Sequence, residues 1–152
     1  GGLLVVFIGR FLSGKRNLAK SVEGLLFETG KKTYYFGLTN LTNVFDVLDK
    51  DQDRHSFEHD RALEKLGDLT RLLTDAGLII LTCLTDVDDF DMEKLRQLNA
   101  PKRMLVITMG ENPFNQFGPD LELPENPDDH EAAAGKVIDI IGKNEVSSNF
   151  SI

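Results

Sequence analysis

Apolar residues fill Leu3 to Ile8 without a break and run straight into Gly9. A run of this length predicts a strand buried on both faces. Beyond Gly14 the pattern changes: Leu18, Ala19, Val22, Leu25 and Leu26 recur at helical spacing, and Thr29-Gly30 is a helix stop. Thr33-Tyr34-Tyr35-Phe36 is β-branched and aromatic and predicts a second strand, followed by a loop from Gly37 to Asn43. Leu63, Leu66, Leu69, Leu72 and Leu73 mark a helix between Phe57 and Asp75, stopped by Ala76-Gly77. The continuous run Leu78 to Leu84 predicts a central parallel strand, and a short helix reaches Leu98. Arg103 to Thr108 predicts the next strand, and Asp120-Leu121-Glu122-Leu123 a short edge strand. Asp128-Asp129 caps a last helix, Glu131 to Ile141, with an apolar face of Ala134, Val137, Ile138 and Ile141. Strands alternating with helices predict an α/β fold: a mainly parallel five-stranded sheet with helices on both faces. Residues 1–143 form the expected domain and residues 144–152 a flexible C-terminal tail.

Composition narrows the function classes. A chain of 152 residues suits one domain with a real core. The net charge of −8 argues against nucleic acid as a partner, which would call for a basic face. The sequence has no apolar run near the roughly 20 residues that span a membrane. A single cysteine, Cys83, excludes an internal disulfide and fits a reducing, cytoplasmic setting, where its place in an apolar strand makes it a core thiol. The start Gly1-Gly2-Leu3, without an initiator Met, reads as a domain cut from a longer protein.

The candidate chemistry sits where the first strand meets the first helix. Gly9-x-x-x-x-Gly14-Lys15 is the opening part of a P-loop, in which backbone N–H groups and a helix N-terminus converge on phosphate and the lysine reaches the outer phosphates. Gly9, Ser13, Gly14, Lys15 and Arg16 are therefore the candidate phosphate or nucleotide contacts, with ATP or ADP as the ligand. Arg10 and Arg16 flank Lys15 and add positive charge for an anion. The motif is incomplete, because a P-loop places Ser or Thr after the lysine to bind Mg²⁺. Arg16 stands there, and a guanidinium has only donors.

Other patterns carry less. Asp49, Asp51, Asp53 and Asp60 have EF-hand spacing, but Arg54 replaces the turn glycine and Asp60 the bidentate glutamate, so a solvated acidic loop is expected. His55, His59 and His130 have no metal-ligand spacing with Cys83 and read as exposed loop histidines. Asp86, Asp88, Asp89 and Asp91 lie beyond a strand end, where they read as a solvated loop with Mg²⁺ as the alternative.

The block Asp60-Arg61 … Leu66-Gly67-Asp68-Leu69 … Leu72-Leu73-Thr74-Asp75-Ala76-Gly77-Leu78-Ile79-Ile80 resembles the segment "dR…RiGEva.l.adAGlivi" of the adenylylsulfate (APS) kinases. With the loop before it and Pro119-Asp120-Leu121-Glu122-Leu123 after it, the resemblance covers most of the chain. It implies the P-loop NTPase fold, a homodimer, and a link to sulfate activation through ATP sulfurylase subunits, in cis or in trans. The departures are as informative. The family loop GLSGSGKST is here Gly9 to Asn17, GRFLSGKRN, with Leu12 for an inner glycine and Arg16 for the Mg²⁺ serine. The family's "DGDNvR", with its catalytic aspartate and substrate arginine, falls on Phe36-Gly37-Leu38-Thr39-Asn40-Leu41, and its "ISPyr" on Leu84-Thr85-Asp86-Val87-Asp88. Its basic lid has no counterpart in Asn112-Pro113-Phe114-Asn115-Gln116-Phe117-Gly118.

Phosphoryl transfer rests on positioning and charge stabilisation. With those groups replaced together, the expectation is a noncatalytic structural or regulatory module with no catalytic residue and no metal site, in which the P-loop either retains nucleotide or anion binding or only joins strand to helix. The alternative is an active ATP-dependent kinase, acting on adenylylsulfate or another small molecule.

Overall fold

The computed structural model describes residues 2–37 and 54–149, with the side chains of residues 54–59 and 146–149 left aside. The elements are β1 (Leu3–Ile8), α1 (Lys15–Glu28), β2 (Thr33–Tyr35), α2 (Arg54–Asp75), β3 (Ile79–Leu84), α3 (Asp89–Asn99), β4 (Arg103–Met109), β5 (Leu121–Leu123) and α4 (His130–Asn149). Among the described residues, five parallel strands form one sheet in the order β2-β3-β1-β4-β5. The α/β architecture expected from the pattern is therefore the one adopted.

β1 is the centre of the sheet because every residue in it is apolar. Its alternating side chains feed two cores. Leu3, Val5 and Phe7 pack with Leu18, Ala19, Val22 and Leu26 of α1 and with Ala133, Ala134, Val137 and Ile141 of α4. Leu4, Val6 and Ile8 pack on the other face with Leu63 and Leu66 of α2, Met92 and Leu95 of α3, and Phe114. Burying each large side chain stabilises the fold by roughly 1.5–3 kcal/mol. Polar termini set the helix limits: Asp88 and Asp91 form a reciprocal capping box at the start of α3, at 2.8 and 3.0 Å. Asp129 Oδ1 accepts from the Ala132 N–H at the start of α4.

Two boundaries differ from expectation. α4 continues to Asn149, so residues 144–149, expected in a tail, are helical. Its extension is tied back by an ion pair between Lys31 and Glu145 at 2.9 Å and by Asn144, which accepts from Arg103. Cys83 is only partly buried, because β3 there reaches the sheet's carboxyl edge beside Tyr35. The acidic stretch Asp49 to Asp53 and the loop from Leu38 onward lie outside the described residues.

Candidate functional site

β1 is paired along its whole length with β3 and β4, with Ile8 opposite both Leu84 and Thr108. The chain therefore leaves the sheet between β3, which ends at the same level, and β4, which runs one residue further, and Gly9 to Gly14 crosses the carboxyl edge there. This is where an open parallel sheet offers a ligand crevice. The loop turns through Leu12 at φ 66° and Gly14 at φ 90° before α1 begins at Lys15. Leu12 thus adopts a left-handed conformation at the position where the resemblance expected glycine.

Lys15 is buried, and its Nζ donates to the carbonyl of Arg10 at 3.1 Å. Burial lowers the pKa of its ammonium from the usual lysine value, with Cys83 and Asp86 pulling the other way. Ser13 is buried too. Its Oγ lies where a Cβ on Gly9 would come within 2.5 Å, and it has no hydrogen-bond partner among the described residues. Arg16 is exposed on the first turn of α1. Gly9, Ser13, Gly14, Lys15 and Arg16 are thus brought together by one turn of chain.

A cleft of about 680 Å³ opens beside the loop, lined among others by Gly9, Arg10, Asp86, Glu111, Asn112 and Glu125. Its charged lining is one guanidinium and three carboxylates. Arg10 is not free: its Nη2 donates to Glu125 Oε2 at 2.8 Å and its Nε to Oε1. This pairing holds the Glu125 carboxyl below its usual range. Beside Glu125, Asn126 binds the loop directly. Its N–H donates to Ser13 O at 2.8 Å and its Nδ2 to Leu12 O at 3.0 Å. Sequence reasoning missed Glu125 and Asn126. They lie in a Pro-Glu-Asn-Pro turn whose only signal was its nearness to the edge strand.

The acidic stretch after β3 is committed elsewhere. Asp88 and Asp91 cap α3. Asp89 accepts from the N–H groups of Asn115, Gln116 and Phe117 at 3.0, 2.6 and 3.2 Å, which lowers its pKa. Only Asp86 faces the cleft. Capping and loop anchoring thus engage Asp88, Asp89 and Asp91, three of the four aspartates that read in the sequence as a solvated loop with Mg²⁺ as the alternative. Among the described residues no group of three or more His, Cys, Asp and Glu is placed to hold a metal ion. Arg16, at the position after Lys15, offers no lone pair where a P-loop's Ser or Thr would bind Mg²⁺.

Cys83 sits near Lys15 and Arg16, hydrogen-bonded to Tyr35, and burial pushes its thiol up to about 11. That shift favours the thiol over the nucleophilic thiolate. His130 is exposed at the start of α4, where its Nε2 and Ser21 Oγ are 2.8 Å apart. The side chains of His55 and His59 lie outside the described set.

Fold and loop are those of the P-loop NTPase fold class. No protein-family model matches the chain. Its sequence relatives are narrower than the class. The adenylyl-sulfate kinase of Shewanella pealeana is 33% identical over 96 residues, 63% of this chain and 45% of that one. That of Geotalea uraniireducens is 28% identical over 114 residues, 69% and 49% of the two chains. The chain spans about half the length of the curated relatives it matches. Among solved structures, the APS kinase CysC of Mycobacterium tuberculosis in complex with AMPPNP and APS has the same fold. Its TM-score is 0.76 at 20% identity, covering 93% of this chain and 98% of that one. The chain is a homologue of the adenylyl-sulfate kinases.

Proposed function

We propose that this domain is a phosphate- or nucleotide-binding relative of the adenylyl-sulfate kinases that does not carry out Mg²⁺-dependent phosphoryl transfer. The observation that carries the reading is the pairing at the head of α1. Lys15 heads α1 with its Nζ folded back onto the Arg10 carbonyl of the loop, as a phosphate-binding lysine would require, while the neighbouring position, where such a loop needs a hydroxyl for the metal, is Arg16. The cleft supports the same reading. Asp86, Glu111 and Glu125 line it where an acceptor carrying sulfate and phosphate would need cations. The loop from Asn112 to Gly118 carries no basic residue that could close over a nucleotide.

In this reading the P-loop backbone and Lys15 hold an anion. The domain then acts as a structural or regulatory module of sulfate activation in the cytoplasm. Its partners are ATP sulfurylase subunits and a second copy of itself.

The test is thermal unfolding with ADP, ATP and APS, with and without Mg²⁺, beside an assay of ADP release. A ligand at a hundred times its dissociation constant adds about 2.7 kcal/mol. For a domain of this size that raises Tm by roughly 5–10 °C. A shift lost in Lys15→Ala, with no ADP released, supports the reading. Stoichiometric ADP release with APS or another acceptor overturns the noncatalytic part.

A further inference from the structure

We propose that Glu125 is a built-in competitor for the phosphate site: its carboxylate occupies Arg10, and a phosphate-bearing ligand must displace it to recruit that guanidinium. The inference rests on the P-loop binding just described and concerns how that binding is regulated.

Three observations place the carboxylate there by construction. The first is the bidentate pairing with Arg10, in which both carboxylate oxygens are used. Two parallel donors of this geometry are what an arginine offers a phosphate. The second is the seat of the turn that carries Glu125. Asn126 clamps Ser13 and Leu12, and Gly110 N–H donates to Leu123 O at 2.8 Å on the other side. The third is that glycine makes room for both residues. A Cβ on Gly110, at φ 96°, would come within 2.7 Å of Glu125 Cγ, and one on Gly14 within 2.8 Å of Asn126 Oδ1. The strap from Pro124 to Pro127 is thus fitted to the loop rather than lying loosely across it.

The pair is also displaceable. Arg10 is highly exposed, so solvent screens the attraction, and a ligand carrying two or more negative charges outcompetes one carboxylate. Release of Arg10 would add a cation near Lys15 in a cleft whose other charged lining residues are acids.

The experiment is calorimetric titration with pyrophosphate and with ADP at low ionic strength. It compares wild type, Lys15→Ala, Glu125→Gln, Glu111→Gln and the double variant Arg10→Gln/Glu125→Gln. Glutamine keeps the size of Glu125, and ligand-free Tm confirms folding. Lys15-dependent binding should tighten about two- to fivefold in Glu125→Gln, the range of an exposed ion pair. The gain should vanish in the double variant. Glu111→Gln, which removes a cleft charge not paired with Arg10, should gain less. Lys15-dependent binding that Glu125→Gln leaves equal or weaker overturns the competitor role and leaves the P-loop reading standing. An equal gain in Glu111→Gln or in the double variant also overturns it, by showing a general charge effect. No binding by wild type or by Glu125→Gln overturns both readings together.

Discussion

Asn126 grips Leu12: its side-chain amide donates to the Leu12 carbonyl at 3.0 Å while Leu12 itself is held at φ 66°. A left-handed leucine costs roughly 1–2 kcal/mol. Leu12→Gly should therefore raise stability by up to about 1 kcal/mol, once glycine's larger unfolded-state entropy is subtracted. That is a rise in Tm of roughly 2–4 °C. Asn126→Ala should lower stability by about 1 kcal/mol. A Leu12→Gly protein that melts below wild type would show that the loop is not strained.

Arg16 makes a prediction about metal. Ligand-induced stabilisation of the wild-type domain should be the same with and without Mg²⁺, since a guanidinium offers the ion no lone pair. Arg16→Ser restores the hydroxyl, and its stabilisation by ADP should then grow when Mg²⁺ is added. Equal Mg²⁺ dependence in the two proteins would show that other groups hold the ion.

Asp89 gives the domain an acid-sensitive loop. Three backbone N–H groups favour its charged form, so its folded-state pKa lies below its unfolded value. The stabilisation is then fully present above the unfolded value of about 3.9 and is lost as pH falls through the lower folded-state value. Amide hydrogen exchange at Asn115, Gln116 and Phe117, extrapolated to the same intrinsic rate, should accelerate below that point. Asp89→Asn should show a weaker pH dependence, and an unchanged one would assign the effect to another carboxylate.

The core makes the plainest prediction. Phe7 is fully buried near the carboxyl end of β1, in the core shared by α1, α4 and the sheet. Phe7→Ala should cost about 3–5 kcal/mol by urea unfolding. A loss below about 1 kcal/mol would mean that the site collapses around the cavity.

Much of this was legible in the sequence. Leu3 to Ile8 and Leu78 to Leu84 announce buried parallel strands because only a strand covered on both faces tolerates so many adjacent apolar residues. Lys15 was legible because a fixed loop length delivers it to the head of a helix. Glu125 was not, since its relation to Arg10 spans a separation of 115 residues and depends on strand order, which periodicity does not encode. The role of Asp89 was hidden for a similar reason. A run of four nearby aspartates reads as one acidic loop, whereas helix capping and the loop at Asn115 divide them among separate tasks.

The connection between β4 and β5 is pinned by Phe114, buried in the core cluster that holds Val6 and Leu95, and by its three amides on Asp89. To swing across the cleft it would have to expose that ring and abandon those bonds. If the proposed anion site over Lys15 is filled, this connection does not close over it, and release from the site is not gated by this stretch of chain.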